Sequence, residues 1–306
     1  MRTNINPDNL ILPYFVTEGS NGRERIRFFP QVYRLSTDKL LREIDQLNGL
    51  GLNKILLFGV PQKKDRHGTS AYSTNNLVSR AVQEIKKRFK NIVVMTDVCL
   101  CAYASHGHCG VIKPEQKTID HKSTLDALSK MALSHAEAGA DYVAPSAMAR
   151  RQVFAIRSAL DSAGFGHTKI MGYSAKFASN FYGPFREAAN SAPKFGDRSA
   201  YQLDFHDPEL ALKKISDDIK EGADIVMVKP ALSYLDIIRQ AKERFNAPLA
   251  AFNVSGEYAL VKHGASLGLW DEKKAVFEII TSIKRAGADF IITYHAKDIA
   301  KWLRER

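Results

Sequence analysis

Short runs rich in apolar and β-branched residues recur along the chain, separated by stretches of helical periodicity. This alternation limits the possible folds more than any other feature. The runs are KILLFGV (54–60), NIVVMTDV (91–98), DYVAPS (141–146), KIMGYS (169–174), DIVMVKP (224–230), LAAFNVS (249–255) and DFIITYH (289–295). They are too uniformly apolar for a sheet with one wet face and read as parallel strands covered by helices. Helical patterns fill 75–89, 122–138, 150–163, 208–221, 232–245 and 271–286. AGAD at 138–141, EGAD at 221–224 and AGAD at 286–289 each close a helix with glycine and open a strand with aspartate. The glycine stands where a left-handed cap belongs. GLGLNK (49–54) occupies the equivalent place with different letters.

Counting a short eighth strand around YQLD (201–204) predicts an α/β fold of the (β/α)8 TIM-barrel type. A doubly wound open sheet is the alternative, but no glycine-rich phosphate loop follows the first strand and the units span the whole length. No linker or low-complexity tract divides the 306 residues, so a single barrel domain over 1–306 is expected, with a short N-terminal arm at about 1–9. Segment 176–200 breaks the regular spacing. It is long, aromatic and punctuated by Gly and Pro, and it reads as an active-site lid.

With 45% hydrophobic and 25% charged residues the chain is an ordinary globular sequence. Its net charge of +11 is spread through helical stretches such as EIKKRFK (84–90), so no nucleic-acid partner is expected. A positive field equally suits small carboxylate substrates. No apolar run is long enough for a membrane span, and the start shows no signal peptide. Cys99, Cys101 and Cys109 are the only cysteines. So tight a cluster is no disulfide framework and points to a reducing, cytoplasmic compartment.

In a barrel the active site lies at the C-terminal ends of the strands. Those ends carry Asp97 with Cys99, Pro145 with Ser146, Tyr173 with Lys176, Lys229, Ser255 with Glu257, and Tyr294 with His295. DVCLCAYASHGHCG (97–110) sets the thiols in a C-x-C-x7-C arrangement. In extended backbone Cys99 and Cys101 point to one side, and a glycine-bearing loop can return Cys109 to them. Three thiolates with no evident fourth protein ligand describe a Zn²⁺ with one position open. Small buried hydrophobes that happen to be cysteine are the other reading. His106 and His108 fit a ligand, a hydrogen-bond donor behind the ligands, or a polar loop.

Lys229 ends an apolar run, where desolvation and a neighbouring cation would free its amine to attack a carbonyl. Lys176 stands at another such end and could share the cavity. Either lysine alone is more often a surface residue than a Schiff-base former. Arg186 and Arg198 bracket the lid with Gln202 just beyond, and arginine forks match carboxylates. Ion pairs of these arginines with Asp197 or Glu187 are the alternative. Ser255 and Tyr294 could hold a second carboxylate by their hydroxyls.

These residues carry a resemblance. DVCLCAYASHGHCG (97–110), YSAKFASNFYGPFREAANSAPKFGDRSAYQLD (173–204), EGADIVMVKPALSYLDIIR (221–239), VSGEYA (254–259) and RAGADFIITY (285–294) resemble the porphobilinogen synthase, or 5-aminolevulinic acid dehydratase, family over nearly the full length. The resemblance implies a (β/α)8 barrel that condenses two 5-aminolevulinate molecules into porphobilinogen with loss of two waters. It implies that Lys229 forms the Schiff base with the propionate-side substrate, whose carboxylate meets Ser255 and Tyr294 in a pocket lined by Tyr182 and Phe185. Lys176 would serve the acetate-side substrate, whose carboxylate meets Arg186, Arg198 and Gln202. Cys99, Cys101 and Cys109 would match the zinc-type branch, with Asp97 beside the metal and the substrate amino groups.

Three departures from the family pattern bear on these expectations. APSAMARRQV (144–153) stands where the family reads APSDMMDGRV, so Ala147 replaces an aspartate and Arg150, Arg151 and Gln152 replace Asp-Gly-Arg. That trades negative for positive charge near an expected ammonium, and leaves open a paralogue that joins a different amino ketone or keto acid. The N-terminal arm that embraces a neighbour in the family is short here, so a homo-oligomer built from dimers without a full octamer is expected. Lys214 replaces a glutamate of magnesium-stimulated members, which argues against an allosteric Mg²⁺.

Overall fold

The computed structural model describes residues 3–113 and 115–305. Eight parallel strands form the wall: β1 (Leu10–Thr17), β4 (Lys54–Val60), β5 (Val93–Val98), β8 (Tyr142–Pro145), β9 (Lys169–Lys176), β10 (Ile225–Lys229), β11 (Leu249–Asn253) and β12 (Phe290–Thr293). The wall closes where β12 pairs with β1, Leu10 opposite Ile291 and Ile11 opposite Ile292. Two short strands, β2 (Arg23–Arg25) and β3 (Tyr33–Ser36), form an antiparallel excursion after β1, and β6 (Ile112–Lys113) pairs with β7 (Thr118–Ile119).

The expected barrel is therefore present, but the eighth strand is not where the YQLD pattern puts it. YQLD contributes only an isolated bridge from Leu203 to Phe177. The remaining wall strand is β1, at the other end of the chain. Pro13 lies within it, and proline inside an apolar run argues against a central strand. Here it is tolerated in a wall position facing β4, where Pro13 sits opposite Leu56.

The helices α2 (Leu77–Arg88), α3 (His121–Glu137), α4 (Gln152–Ser162), α6 (Pro208–Lys220), α7 (Leu235–Arg244) and α9 (Glu272–Ala286) lie within a few residues of expectation. Side-chain caps start several of them: Asn76 accepts from Ser79 N, Asp120 from Ser123 N, Asp207 from Leu210 N and Asp271 from Lys274 N. Helices α1 (Thr37–Asn48), α5 (Gly183–Ala188), α8 (Ser255–Ser266) and α10 (Ala296–Arg304) complete the fold.

The Gly-Ala-Asp repeats have a structural purpose beyond the cap. Gly139, Gly222 and Gly287 take positive φ at the helix ends. Each following aspartate then reaches sideways to the neighbouring strand. Asp141 accepts from Val94 N at 2.7 Å, Asp224 from Ile170 N at 2.8 Å and Asp289 from Leu249 N at 2.9 Å. The repeat thus seals amide donors at the bottom of the wall, which burial would otherwise leave unpaired.

Side chains fill the barrel interior, among them Phe15, Phe58, Met95, Tyr173, Met227 and Phe252, all buried. A second apolar layer, with Leu57, Val82, Ile215, Val228 and Ile280, joins wall to helices. Among the described residues no helix is long and apolar enough to cross a membrane.

Candidate active site

Strands β9 and β10 run side by side, and their register pairs Lys176 with Lys229 at the C-terminal lip. Both lysines are buried. The Lys229 ammonium lies 3.9 Å from the ring centre of Phe252 and 5.0 Å from that of Phe185, with Tyr173 and Tyr182 at 5.1 and 5.4 Å. Aromatic faces partly replace water around a cation but do not match it. Burial, and then the neighbouring Lys176, hold the Lys229 amine well below the ordinary lysine range. Lys176 Nζ donates to Ser146 O at 2.5 Å and lies 5.6 Å from the Tyr173 ring centre.

Asp97, near the end of β5, faces the same space. It is half-buried, and its Oδ1 is sealed from solvent with no hydrogen-bond partner among the described residues. Burial pushes its carboxyl up to about 6, against the opposing pull of Ser146 and both lysines. A carboxyl so placed can exchange a proton near neutrality.

The three thiols are buried and unoxidised, and their sulfurs lie within 4.8 Å of one another. The chain brings them together differently from expectation. Beyond Val98 the backbone turns instead of extending, with Tyr103 N and Ala104 N both donating to Leu100 O at 2.9 and 2.8 Å. The turn, rather than the pleat of a strand, places Cys101 beside Cys99. Hydrogen bonds from Cys101 and Cys99, reinforced by Arg198 and Lys176, hold the Cys109 thiol well below its usual range. Three converging sulfurs, one of them readily ionised, fit Zn²⁺ with an open fourth position. Neither histidine is free to join them. His106 Nε2 meets Arg66 O at 3.1 Å and its Nδ1 accepts from His108 N at 3.0 Å, while His108 uses both ring nitrogens on Phe195 O and Tyr201 Oη.

A small, tightly closed cavity lies between these groups. Its walls are Phe58, Asp97, Cys101, Ser146, Lys176, Tyr182, Phe185, Arg198 and Lys229. Asp97 is the one carboxylate among those walls. Tyr182, Phe185 and Arg198 come from the segment expected to be a lid, which passes over the lip. That segment is pinned at one end by Phe177 N on Lys229 O at 2.9 Å. Arg34, a buried residue of the excursion that nothing in its sequence context singles out, holds its middle by donating to Ala188 O at 2.7 Å and Glu187 O at 2.6 Å.

Not every expected residue reaches the cavity. Arg186 borders an adjacent surface hollow with Phe28, Gly183 and Pro184. Tyr294 does not line this cavity but lies beside it in the barrel interior, packed among Phe15, Phe29, Phe252 and Tyr258. Ser255 Oγ accepts from Phe185 N at 3.0 Å and donates to Phe181 O at 3.3 Å, which docks the lid on the start of α8. Neither Arg186 nor Arg198 forms an ion pair with Asp197 or Glu187, so the alternative of lid ion pairs fails among the described residues. Instead the polar groups lack partners: Arg186 Nε, Arg198 Nε, both polar atoms of the Gln202 amide and Tyr294 Oη are buried and unsatisfied. Buried polar atoms are seldom left unpaired, so these groups are available to a bound partner. Phe58 joins the wall without a signal in the sequence, since it lies within an ordinary apolar run.

The altered 147–152 segment is rearranged rather than turned into the site. Ala147 is buried against apolar neighbours. Gln152 is fully buried, donating to Pro145 O at 3.1 Å and accepting from Ala149 N at 3.2 Å, which ties the loop into a closed turn. Arg150 and Arg151 are exposed, and Arg151 lies over the Phe154 ring at 4.1 Å. The expected gain of positive charge beside the substrate ammonium is therefore incorrect, because the turn aims both guanidinium groups into water. Lys214 pairs with the buried Asp218 on α6. Glu272, His295 and Asp298 also converge, but the Lys262 ammonium already lies between the two carboxylates at 2.5 and 2.9 Å.

The chain matches the family model described as delta-aminolevulinic acid dehydratase over residues 1–302. It is 51% identical over 300 residues to the delta-aminolevulinic acid dehydratase of Archaeoglobus fulgidus, covering 98% of this chain and 92% of the relative. It is 49% identical over 303 residues to that of Bacillus subtilis, covering 99% and 93%. Its structure is similar to the crystal structure of the Toxoplasma gondii enzyme in complex with the reaction product porphobilinogen. The TM-score is 0.97 at 38% identity, with 99% of this chain and 87% of that one covered.

Proposed function

Because the chain belongs to the delta-aminolevulinic acid dehydratase family, we propose that it condenses two 5-aminolevulinate molecules into porphobilinogen through the paired lysines Lys229 and Lys176. The chain is accordingly a lyase. The observation that carries this reading is the register of those two lysines, opposite one another on β9 and β10 and buried beside a carboxylate and three thiols.

Lys229, whose free amine is favoured by burial and by Lys176, attacks the ketone carbon of the propionate-side substrate. A C=N bond forms and the carbonyl oxygen leaves as water. Tyr182 and Phe185 enclose that substrate. Its carboxylate takes the Tyr294 hydroxyl, which has no other partner, and displaces the long Ser255–Phe181 contact. A charged acceptor forms the stronger hydrogen bond.

Lys176 engages the second substrate, exchanging the Ser146 carbonyl for the substrate carbonyl carbon. Arg186, Arg198 and Gln202 turn their unsatisfied donors to its carboxylate. Asp97 receives protons released as the carbon–carbon and carbon–nitrogen bonds form. The second water leaves as Lys176 forms its own C=N bond; the amino nitrogen of the propionate-side substrate then displaces Lys176 from that carbon, and elimination of Lys229 after the carbon–carbon bond forms frees the other amine. Cys99, Cys101 and Cys109 would hold Zn²⁺, which supplies Lewis acidity beside the acetate-side substrate.

The whole chain acts as one barrel domain with 176–200 as its lid. A homo-oligomer built from dimers is supported by the neighbouring Leu260, Leu267, Leu269 and Trp270, all exposed large apolar residues. A reducing, cytoplasmic location is supported by three free thiols in one cluster.

Borohydride reduction in the presence of 5-aminolevulinate, followed by peptide mapping, tests the assignment. Adducts are expected at Lys229 and Lys176, together with pyrrole formation in a colorimetric assay of the unreduced enzyme. A protein that makes no pyrrole and traps substrate at neither lysine refutes it.

A further inference from the structure

We propose that Tyr201 is a positioning residue through which closure of the lid and occupancy of the three-thiol site become one event. The proposal rests on the reading of Cys99, Cys101 and Cys109 as the zinc ligands.

The thiol loop and the inner half of the lid are interlocked backbone to backbone. Lys194 N donates to His106 O at 3.0 Å, and Arg198 Nη2 donates to Gly107 O at 2.9 Å. Gly107 has φ +75°, and a Cβ on it would lie 2.3 Å from Ala192 O. Only glycine lets the two segments approach so closely.

His108 and Tyr201 finish the connection, and its direction follows from the donor inventory. Phe195 O can only accept, so His108 Nε2, 2.9 Å away, carries the proton. The other ring nitrogen, Nδ1, meets the Tyr201 hydroxyl at 3.2 Å. The Tyr201 oxygen accepts from Cys109 N, 3.4 Å away. One unbroken chain therefore runs from the main chain of a thiol ligand, through the tyrosine just past the end of the lid and a loop histidine, back to the lid. Gln202, with its unsatisfied amide, is the next residue after Tyr201.

The consequence is mechanical. A metal on the three sulfurs fixes Cys109. Fixing Cys109 aligns its N–H on Tyr201, and the aligned tyrosine holds the segment that carries Arg198 and Gln202. By linkage, a closed lid must raise metal affinity by the same factor that metal favours closure. Groups that orient metal ligands from behind change metal affinity by about tenfold to a hundredfold when removed.

The test uses the full-length protein, stripped with a chelator and reloaded with zinc. Backbone hydrogen exchange is followed over residues 177–203 in both states, and zinc affinity is measured by competition with a chromophoric chelator. Tyr201→Phe keeps the ring and removes the hydroxyl. In wild type, zinc is expected to slow exchange in 191–202 about tenfold or more. In Tyr201→Phe zinc should bind about tenfold more weakly and the zinc-dependent protection should largely vanish, while exchange in the barrel strands stays as in wild type. Wild-type zinc uptake with no change in lid exchange overturns the coupling alone, as does Tyr201→Phe with unaltered affinity and protection. A general rise in exchange across the barrel in Tyr201→Phe also overturns it, since the hydroxyl would then be merely structural. Failure of wild type to take up zinc overturns the metal reading and, with it, the proposal. Should Tyr201→Phe not fold, stripped and loaded wild type still test the coupling, and unchanged lid exchange between them overturns the proposal.

Discussion

Replacing Lys176 with methionine isolates the electrostatic part of Lys229 activation. Methionine keeps most of the length and bulk and removes the charge. The two ammonium groups lie 5.6 and 5.1 Å from the centre of the same Tyr173 ring. For a pair of charges taken as about 8 Å apart with an effective dielectric constant of about 20, the repulsion is about 2 kcal/mol. That corresponds to about 1.5 pH units. Removing a neighbouring cation makes the protonated form of Lys229 cheaper. Its pKa therefore rises, and the neutral amine becomes scarcer at any given pH. The assay is the rate of borohydride trapping of 5-aminolevulinate at Lys229, resolved by peptide mapping and followed across pH. The midpoint should move up by about 1.5 in Lys176→Met. It should nevertheless stay below that of an ordinary lysine, about 10.4, because burial is the larger cause and is untouched. An unmoved or lowered midpoint would show that Lys176 does not repel Lys229, and the pairing would lose its chemical meaning.

Three further outcomes are expected. Cys109→Ser should lose most of its zinc relative to wild type in elemental analysis, and equal metal in both proteins would remove the three-thiolate site. Ala147→Asp should change wild-type pyrrole formation by less than about tenfold, because Asp97 already lies in the cavity wall; a rise of about 10²–10³, the usual worth of a charge-stabilising group, would mean that the active site has diverged from the family reaction. Gly256→Ala should raise KM more than it lowers kcat, since its Cβ would lie 2.5 Å from Phe181 O and push the lid off α8. A backbone displacement of this kind costs about 1–3 kcal/mol, so tenfold in KM is the expected order, and an unaltered KM would separate that contact from substrate retention.

The amino-acid sequence by itself determines what lies close along the chain. Parallel strands buried on both faces are written as apolar runs, and the glycine that ends each helix announces the turn into the next. The three thiols lie within one short loop, so their convergence needs no long-range information. The lysines stand out because each ends a buried strand, a position defined by local pattern. The misplaced eighth strand shows the limit of that logic. Leu10–Thr17 carries Pro13, and it is a strand because β4 and β12 flank it and offset the cost of its ordering with two sets of hydrogen bonds. YQLD has the local look of a strand and lacks a second partner.

Other properties belong to the tertiary structure because they depend on register, rotation and approach between distant segments. The opposition of Lys176 and Lys229 follows from the pairing of β9 with β10, across which a slip of one residue would turn one side chain out of the barrel. Arg150 and Arg151 point into water because the fully buried Gln152 closes their turn, and side-chain direction in a turn is not written in charge. Arg34 reaches the lid across a separation of more than 150 residues. Tyr201 meets Cys109 only because Gly107 lets two backbones touch. Residue chemistry is thus present in the linear order of the chain, whereas the distances that let it act are created when the wall closes and the lid settles on it.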